Sequence, residues 1–131
     1  MTTKPKLLTP LPIDFDEETH RYIWKPTNEI MANSVTSITG FDMPESKRKG
    51  IEAFKHIWAP RGTAVHKALE CHLLDKEIPE EPKYEDWIGP LLTHQYFQEF
   101  FKPLAVEYRV VDLKNSIGGT LDAYGIDTRT N

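Results

Sequence analysis

Two strand-like runs near the C-terminus constrain this chain more than any other feature. Residues 105–113 and 117–126 are rich in β-branched and aromatic side chains, among them Val106, Tyr108, Val110, Val111, Ile117 and Tyr124. Lys114-Asn115 lies between them as a turn. If those two residues form a two-residue hairpin loop, Leu113 pairs with Ser116 and paired residue numbers sum to 229. Glu107 then stands opposite Asp122 on one face, with Cβ atoms about 5 Å apart. Two carboxylates so placed repel each other unless something positive lies between them. A hard divalent cation such as Mg²⁺ or Mn²⁺, which takes carboxylate oxygens, is the economical choice. A register different by one residue sends the two acids to opposite faces, where they are ordinary solvent-facing groups. Both registers are compatible with the sequence. Gly118 and Gly119 weaken a strand, and their expected use is to admit another backbone or a ligand.

A second chemistry-bearing stretch starts at Arg61. Thr63 can cap a helix, and Gly62 allows close backbone approach. Val65, Ala68, Leu69, His72 and Leu73 follow as one apolar stripe. His66 and Glu70 sit four apart on its flank, where a neutral imidazole and a carboxylate can share one metal ion. The plainer reading is an exposed His–Glu pair on an amphipathic helix.

The remaining chain supplies a frame. Residues 1–12 hold three prolines and read as an extended arm. Residues 13–16 and 22–24, with 29–32 after a Pro26-Thr27-Asn28 turn, read as a small aromatic hairpin in which Tyr22 and Trp24 are packing residues. Ser34 or Thr36 can cap a single helical turn closed by Gly40. Residues 47–58 form a helix with Ile51, Phe54 and Trp58 on one face, and Pro60 stops it. Residues 75–90 read as a loop. Leu91, Leu92, Tyr96, Phe97, Phe100 and Phe101 mark an amphipathic packing helix over 91–101, ended by Pro103. The expectation is one mixed α/β (α+β) domain over residues 1–131, with helices on a short sheet.

Composition narrows the function. Apolar residues make up 39% and charged residues 27%, no run approaches the ~18 apolar residues of a membrane span, and the first residues lack a signal peptide's apolar segment. The lone Cys71 cannot form an internal disulfide, which places the protein in a reducing cytoplasm. The net charge of −4 is uneven: Lys47, Arg48, Lys49, Lys55, Arg61 and Lys67 face only Glu52 within 47–67, a net +5 that leaves −9 elsewhere. A basic strip beside an acidic body suits a polyanion that must also meet a metal-binding carboxylate cluster. The alternative is a solvated helix face.

Taken in order, Ser34-Val35-Thr36, Arg61-Gly62-Thr63 with His66 and Glu70, Glu107, and Gly119-Thr120-Leu121-Asp122 resemble the PD-(D/E)XK nuclease superfamily. The nearest branch is that of RecB-like and phage-type exonucleases, and the resemblance runs from about Tyr22 onward. It implies a restriction-endonuclease-like core and a Mg²⁺- or Mn²⁺-dependent DNA nuclease. His66 matches the helix histidine that reaches the metal, Asp122 the central aspartate, and Glu107 an acid of the preceding strand. Glu70 matches a helix acid one turn past the histidine. The resemblance also implies a third strand carrying (D/E)-x-K, whose lysine orients the nucleophile. No residue of the chain up to Asn131 takes those positions, and Lys114 lies in the turn. The expectation is therefore an N-terminal portion of the nuclease, weak or inactive alone, with an open sheet edge able to pair with another chain.

Two other classes compete. One is a non-catalytic module that keeps the nuclease fold and binds nucleic acid or a protein partner. The other is a metal-dependent hydrolase of small phosphoesters. The chain has no phosphate-binding loop ending in Lys-Ser/Thr, so a nucleoside-triphosphatase has no support. No Ser-His-Asp spacing stands out either.

Overall fold

Residues 7–130 are described by the computed structural model, as helices combined with two three-stranded sheets. The first sheet is antiparallel: β1 (Ile13–Asp16), β2 (Arg21–Trp24) and β3 (Glu29–Ile30) in that order. Ile13, Tyr22 and Met31 are buried in its core, Met31 to 1% exposure, with Phe15, Trp24 and Val111 against them. Tyr22 and Trp24 are thus packing residues, as their apolar surroundings suggest. Of the expected N-terminal arm, residues 1–6 lie outside the described residues. Leu8 donates its N–H to the Leu104 carbonyl at 2.8 Å, so the described part runs beside the second sheet.

Next come β4 (Asn33–Ser34) and α1 (Val35–Thr39). Ser34 caps α1 through a reciprocal pair: its Oγ accepts from the Ser37 N–H, and the Ser37 Oγ accepts from the Ser34 N–H. Gly40 ends the turn, as expected.

The helices that follow depart from sequence expectation. The helix expected over 47–58 is two elements, α2 (Glu45–Ala53) and the first turn of α3 (Lys55–Leu73), hinged at Phe54. Pro60 lies inside α3 rather than ending a helix. Its missing N–H leaves the His56 carbonyl without its helical donor, yet packing further along α3 carries the helix through. Thr63 is therefore not a cap; its Oγ1 donates to the Ala59 carbonyl at 3.0 Å. Residues 75–90 are not all loop, because a 3₁₀ turn at Pro82–Tyr84 leads into α4 (Glu85–Thr93). Ile88 of α4 is buried against Ala64 and Ala68 of α3, with Val65, Tyr84 and Leu92 around them.

No single helix spans 91–101. Leu91 and Leu92 finish α4, the chain turns out at His94, and Tyr96–Phe100 form one π-helical turn. Tyr96, Phe97 and Phe101 pack on one another as a ring cluster, which replaces the stripe that their spacing suggested.

The second sheet has the order β4-β6-β5, with β5 (Phe101–Asp112) and β6 (Ile117–Asp127) antiparallel. The register sum of 229 holds from Ala105↔Tyr124 to Asp112↔Ile117. It shifts by one beyond Leu104, where Pro103 sits on the outer strand, a position that tolerates a missing donor. The turn is longer than the two-residue loop: Leu113 and Ser116 are not a ladder pair, and Asp112 accepts hydrogen bonds from the backbone N and Nδ2 of Asn115 instead. β4 runs parallel to the start of β6, so the sheet has three strands rather than two. Beyond Gly118, β6 has no second strand beside it among the described residues. Among the described residues no helix is long and apolar enough to cross a membrane.

The two adjacent glycines serve packing within the chain. A Cβ at Gly118 would lie 2.5 Å from the Tyr22 ring, and one at Gly119 would lie 2.9 Å from Val35. They let the first sheet and α1 close onto β6, and the Tyr22 hydroxyl then meets the Thr120 Oγ1 at 2.8 Å. Gly62, by contrast, has nothing within 4 Å of a would-be Cβ. Gly118→Ala is expected to destabilise the protein by about 1–3 kcal/mol through overpacking. Gly62→Ala is expected to stabilise it by up to about 1 kcal/mol through helix propensity. Urea unfolding of the two variants tests the pair of expectations.

Candidate metal centre

Three elements meet at one spot. α3 presents His66, β5 presents Glu107 and β6 presents Asp122, and one ligand atom of each lies within 4.8 Å of the others. His66 Nδ1 is 3.2 Å from Asp122 Oδ1 and 4.0 Å from Glu107 Oε1. The two acids share a face because the 229 register places them between the ladder pairs Val106↔Ala123 and Tyr108↔Leu121. Glu107 and Asp122 do not themselves form a ladder pair.

The reason lies in the backbone of Glu107. Its φ is +49°, in the left-handed region that a glutamate rarely occupies. A non-glycine residue held there costs on the order of 1–3 kcal/mol and persists where its surroundings impose it. Nothing in the sequence signals this departure: no glycine or asparagine stands at that position.

The electrostatics are also unfavourable as they stand. The Glu107 carboxyl is held above the ordinary glutamate range, first by partial burial and next by the Asp122 charge. His66 and Lys67 oppose that shift, and Glu70 adds to it. Two oxygen donors and one imidazole nitrogen, crowded enough to raise a carboxyl pKa, are a donor set that fits a hard or borderline divalent ion.

Glu70 does not join the converging trio. It lines the same cleft of about 730 Å³, with Trp58, Gly62, His66, Lys67 and Glu107. Its carboxylate pairs with the Lys67 ammonium at 3.6 Å. Lys67, expected on a DNA-binding strip, thus stands in the cleft itself.

The other cations of that strip are dispersed. The Arg48 guanidinium donates to the Gly40 carbonyl at 2.9 Å. Arg61 stacks over the Trp87 ring at 4.1 Å, which spends its charge at the α3–α4 junction. Lys47 borders an apolar depression with Ile51, Phe54 and Trp58. Lys49 and Lys55 are exposed and form no ion pair among the described residues. Cys71 is a small buried core residue. The apolar face of Ile51, Phe54 and Trp58 was legible from its spacing, but spacing does not reveal that solvent covers it.

Comparison with protein-family models, with curated proteins and with solved structures finds no match to this chain.

Because the folded Glu107 pKa is raised, the stability it contributes is full below its ordinary value of 4.5 and is lost as pH rises through the raised folded value. Glu107→Gln, which cannot ionise, is therefore expected to be more stable than the parent near neutral pH. The gain should be a few tenths to about 1 kcal/mol, the size of a cross-strand charge interaction. It should vanish below about pH 4. Thermal unfolding of both proteins across pH 3–8 in EDTA measures it.

Proposed function

We propose that this protein is a divalent-metal-dependent nuclease that hydrolyses phosphodiester bonds in DNA, with a restriction-endonuclease-like core of the PD-(D/E)XK kind. The observation that carries the reading is the convergence of His66, Glu107 and Asp122 to within 4.8 Å from a helix and two adjacent strands. The order of those residues along the chain supports it, because it is the order in which the superfamily sets its helix histidine and strand acids. α3 lying against the β5–β6 pair supports the same core.

The protein's own groups divide the work. Asp122, nearest to His66, would be the shared ligand, and Glu107 would supply a second carboxylate oxygen from the other strand. His66 would bind as a neutral imidazole, so metal binding and protonation compete there. A bound Mg²⁺ or Mn²⁺ supplies Lewis-acid polarisation of the phosphate and acidification of a water molecule. Lys67, on the cleft wall, adds positive charge where the phosphate would build negative charge.

A second reading draws on a different observation. β6 has a free edge beyond Gly118 among the described residues, and such an edge can accept a strand from another chain. On that reading the fold is a non-catalytic module that binds nucleic acid or a protein partner.

Metal titration and cleavage separate the two. Three protein ligands leave Mg²⁺ with several waters, so binding by the 131-residue chain should be weak. The second motif acid and the motif lysine of the superfamily are not among the site residues. Loss of a single oxyanion donor alone costs about 10²–10³ in rate. The expectation is measurable Mn²⁺ binding by calorimetry, lost in Asp122→Ala, with oligonucleotide cleavage near background. Mn²⁺ binding unchanged in Asp122→Ala would overturn the nuclease reading. Fast Mg²⁺-dependent cleavage lost in that variant would overturn the expectation of weak activity.

A further inference from the structure

Beside the metal cleft lies a second surface that the proposed chemistry does not use. It is an open depression of about 660 Å³ lined by Lys47, Gly50, Ile51, Phe54 and Trp58. Large apolar groups normally leave water, yet Phe54 is 60% exposed and Trp58 37%. The Trp58 ring is not loose: its Nε1–H donates to the Ile51 carbonyl at 2.7 Å, which fixes the indole against the end of α2. Trp58 also lines the metal cleft with Gly62 and His66, so one indole joins the two surfaces.

The geometry points to a track for single-stranded DNA, in which unpaired bases stack on Phe54 and Trp58 and the strand runs over Gly62 to the His66–Glu107–Asp122 site. The assignment to DNA, and to delivery for cleavage, rests on the proposed function; the stacking surface does not. Trp58, Gly62 and His66 recur every fourth residue and so share one side of α3. At 1.5 Å per residue Trp58 and His66 are about 12 Å apart along the helix. A strand in a duplex rises ~3.4 Å per nucleotide and an unpaired strand can extend further, so that gap holds at most about three to four nucleotides. Gly62, midway, presents no side chain and has open space above it.

Charge selects the occupant. Lys47 borders the depression, and Lys49 and Lys55 flank it in sequence without ion pairs among the described residues. Flat aromatic groups beside Lys47, unpaired among the described residues, suit a polymer of bases and phosphates. An apolar surface meant for a second copy of this chain would gain nothing from the uncompensated Lys47 at its rim. A duplex keeps its base faces stacked inside, so exposed rings favour an unpaired strand.

Binding is measured in EDTA by fluorescence anisotropy, with a labelled 12-nucleotide DNA strand, its blunt duplex and the RNA of the same sequence. The single DNA strand should bind tightest. Phe54→Ala and Trp58→Ala should each weaken it by about 10-fold, the usual effect of removing one stacking ring. Trp58→Phe should restore most of the loss. Lys47→Ala should flatten the dependence of log K on log salt by about 0.7, while Trp58→Ala leaves that slope unchanged. Equal losses for strand and duplex, no loss in either ring variant, or a tighter hold on RNA would each overturn the proposal. So would concentration-dependent dimerisation that Phe54→Ala abolishes, seen by analytical ultracentrifugation. Because EDTA removes the metal, strand preference of the parent protein that is lost in Trp58→Ala supports the track even if the nuclease reading fails. Metal binding without strand preference sinks the track and leaves that reading standing.

Discussion

The pairing of β5 with β6 is the constraint on which the rest of this structure depends. One register brings Glu107 and Asp122 to the same face, and a slip of one residue would separate them. The glycines of β6 secure that register from behind. Gly118 and Gly119 make room for the Tyr22 ring and for Val35, so the first sheet and α1 pack closely on β6. Tyr22, bonded to Thr120 and buried with Met31, then ties the small sheet to the strand that carries Asp122. With the strand pair held, α3 lies across it and lowers His66 onto the two acids.

The site holds against its own preferences. Glu107 takes a left-handed backbone, and its carboxyl is pushed upward by burial and by Asp122. Folded proteins retain such local costs where the surroundings impose them, and they concentrate at sites that bind something. Lys67 relieves part of the charge, but it also engages Glu70, which therefore stays outside the trio. A cation placed among His66, Glu107 and Asp122 would remove the repulsion that remains, as protonation of Glu107 does at low pH.

Much of this arrangement was legible in the residues. The 229 register was one of two that the sequence allowed, the one set by a short turn, and it holds despite a turn longer than expected because the extra residues fall symmetrically on both sides. The Ser34 cap and the Gly40 stop are local chemistry and read directly. Helix boundaries were less legible. Pro60 and Pro90 both lie inside helices, since packing of Ala64, Ala68 and Ile88 outweighs one lost hydrogen bond in each. The 91–101 stripe misled because six apolar residues at helical spacing can equally gather as a cluster of rings. Neither the strain at Glu107 nor the exposure of Phe54 has a sequence signal: both arise from what the rest of the chain leaves around them.

The central claim is that His66, Glu107 and Asp122 hold one metal ion, and Mn²⁺ provides its most direct test. Pulsed electron paramagnetic resonance of the Mn²⁺-loaded protein reads nitrogen directly bound to the ion. The account predicts one imidazole nitrogen coupling, absent in His66→Gln, and a bound-Mn²⁺ signal that falls away in Asp122→Ala. A bound-Mn²⁺ signal with no nitrogen coupling, or one unchanged in His66→Gln, would contradict it.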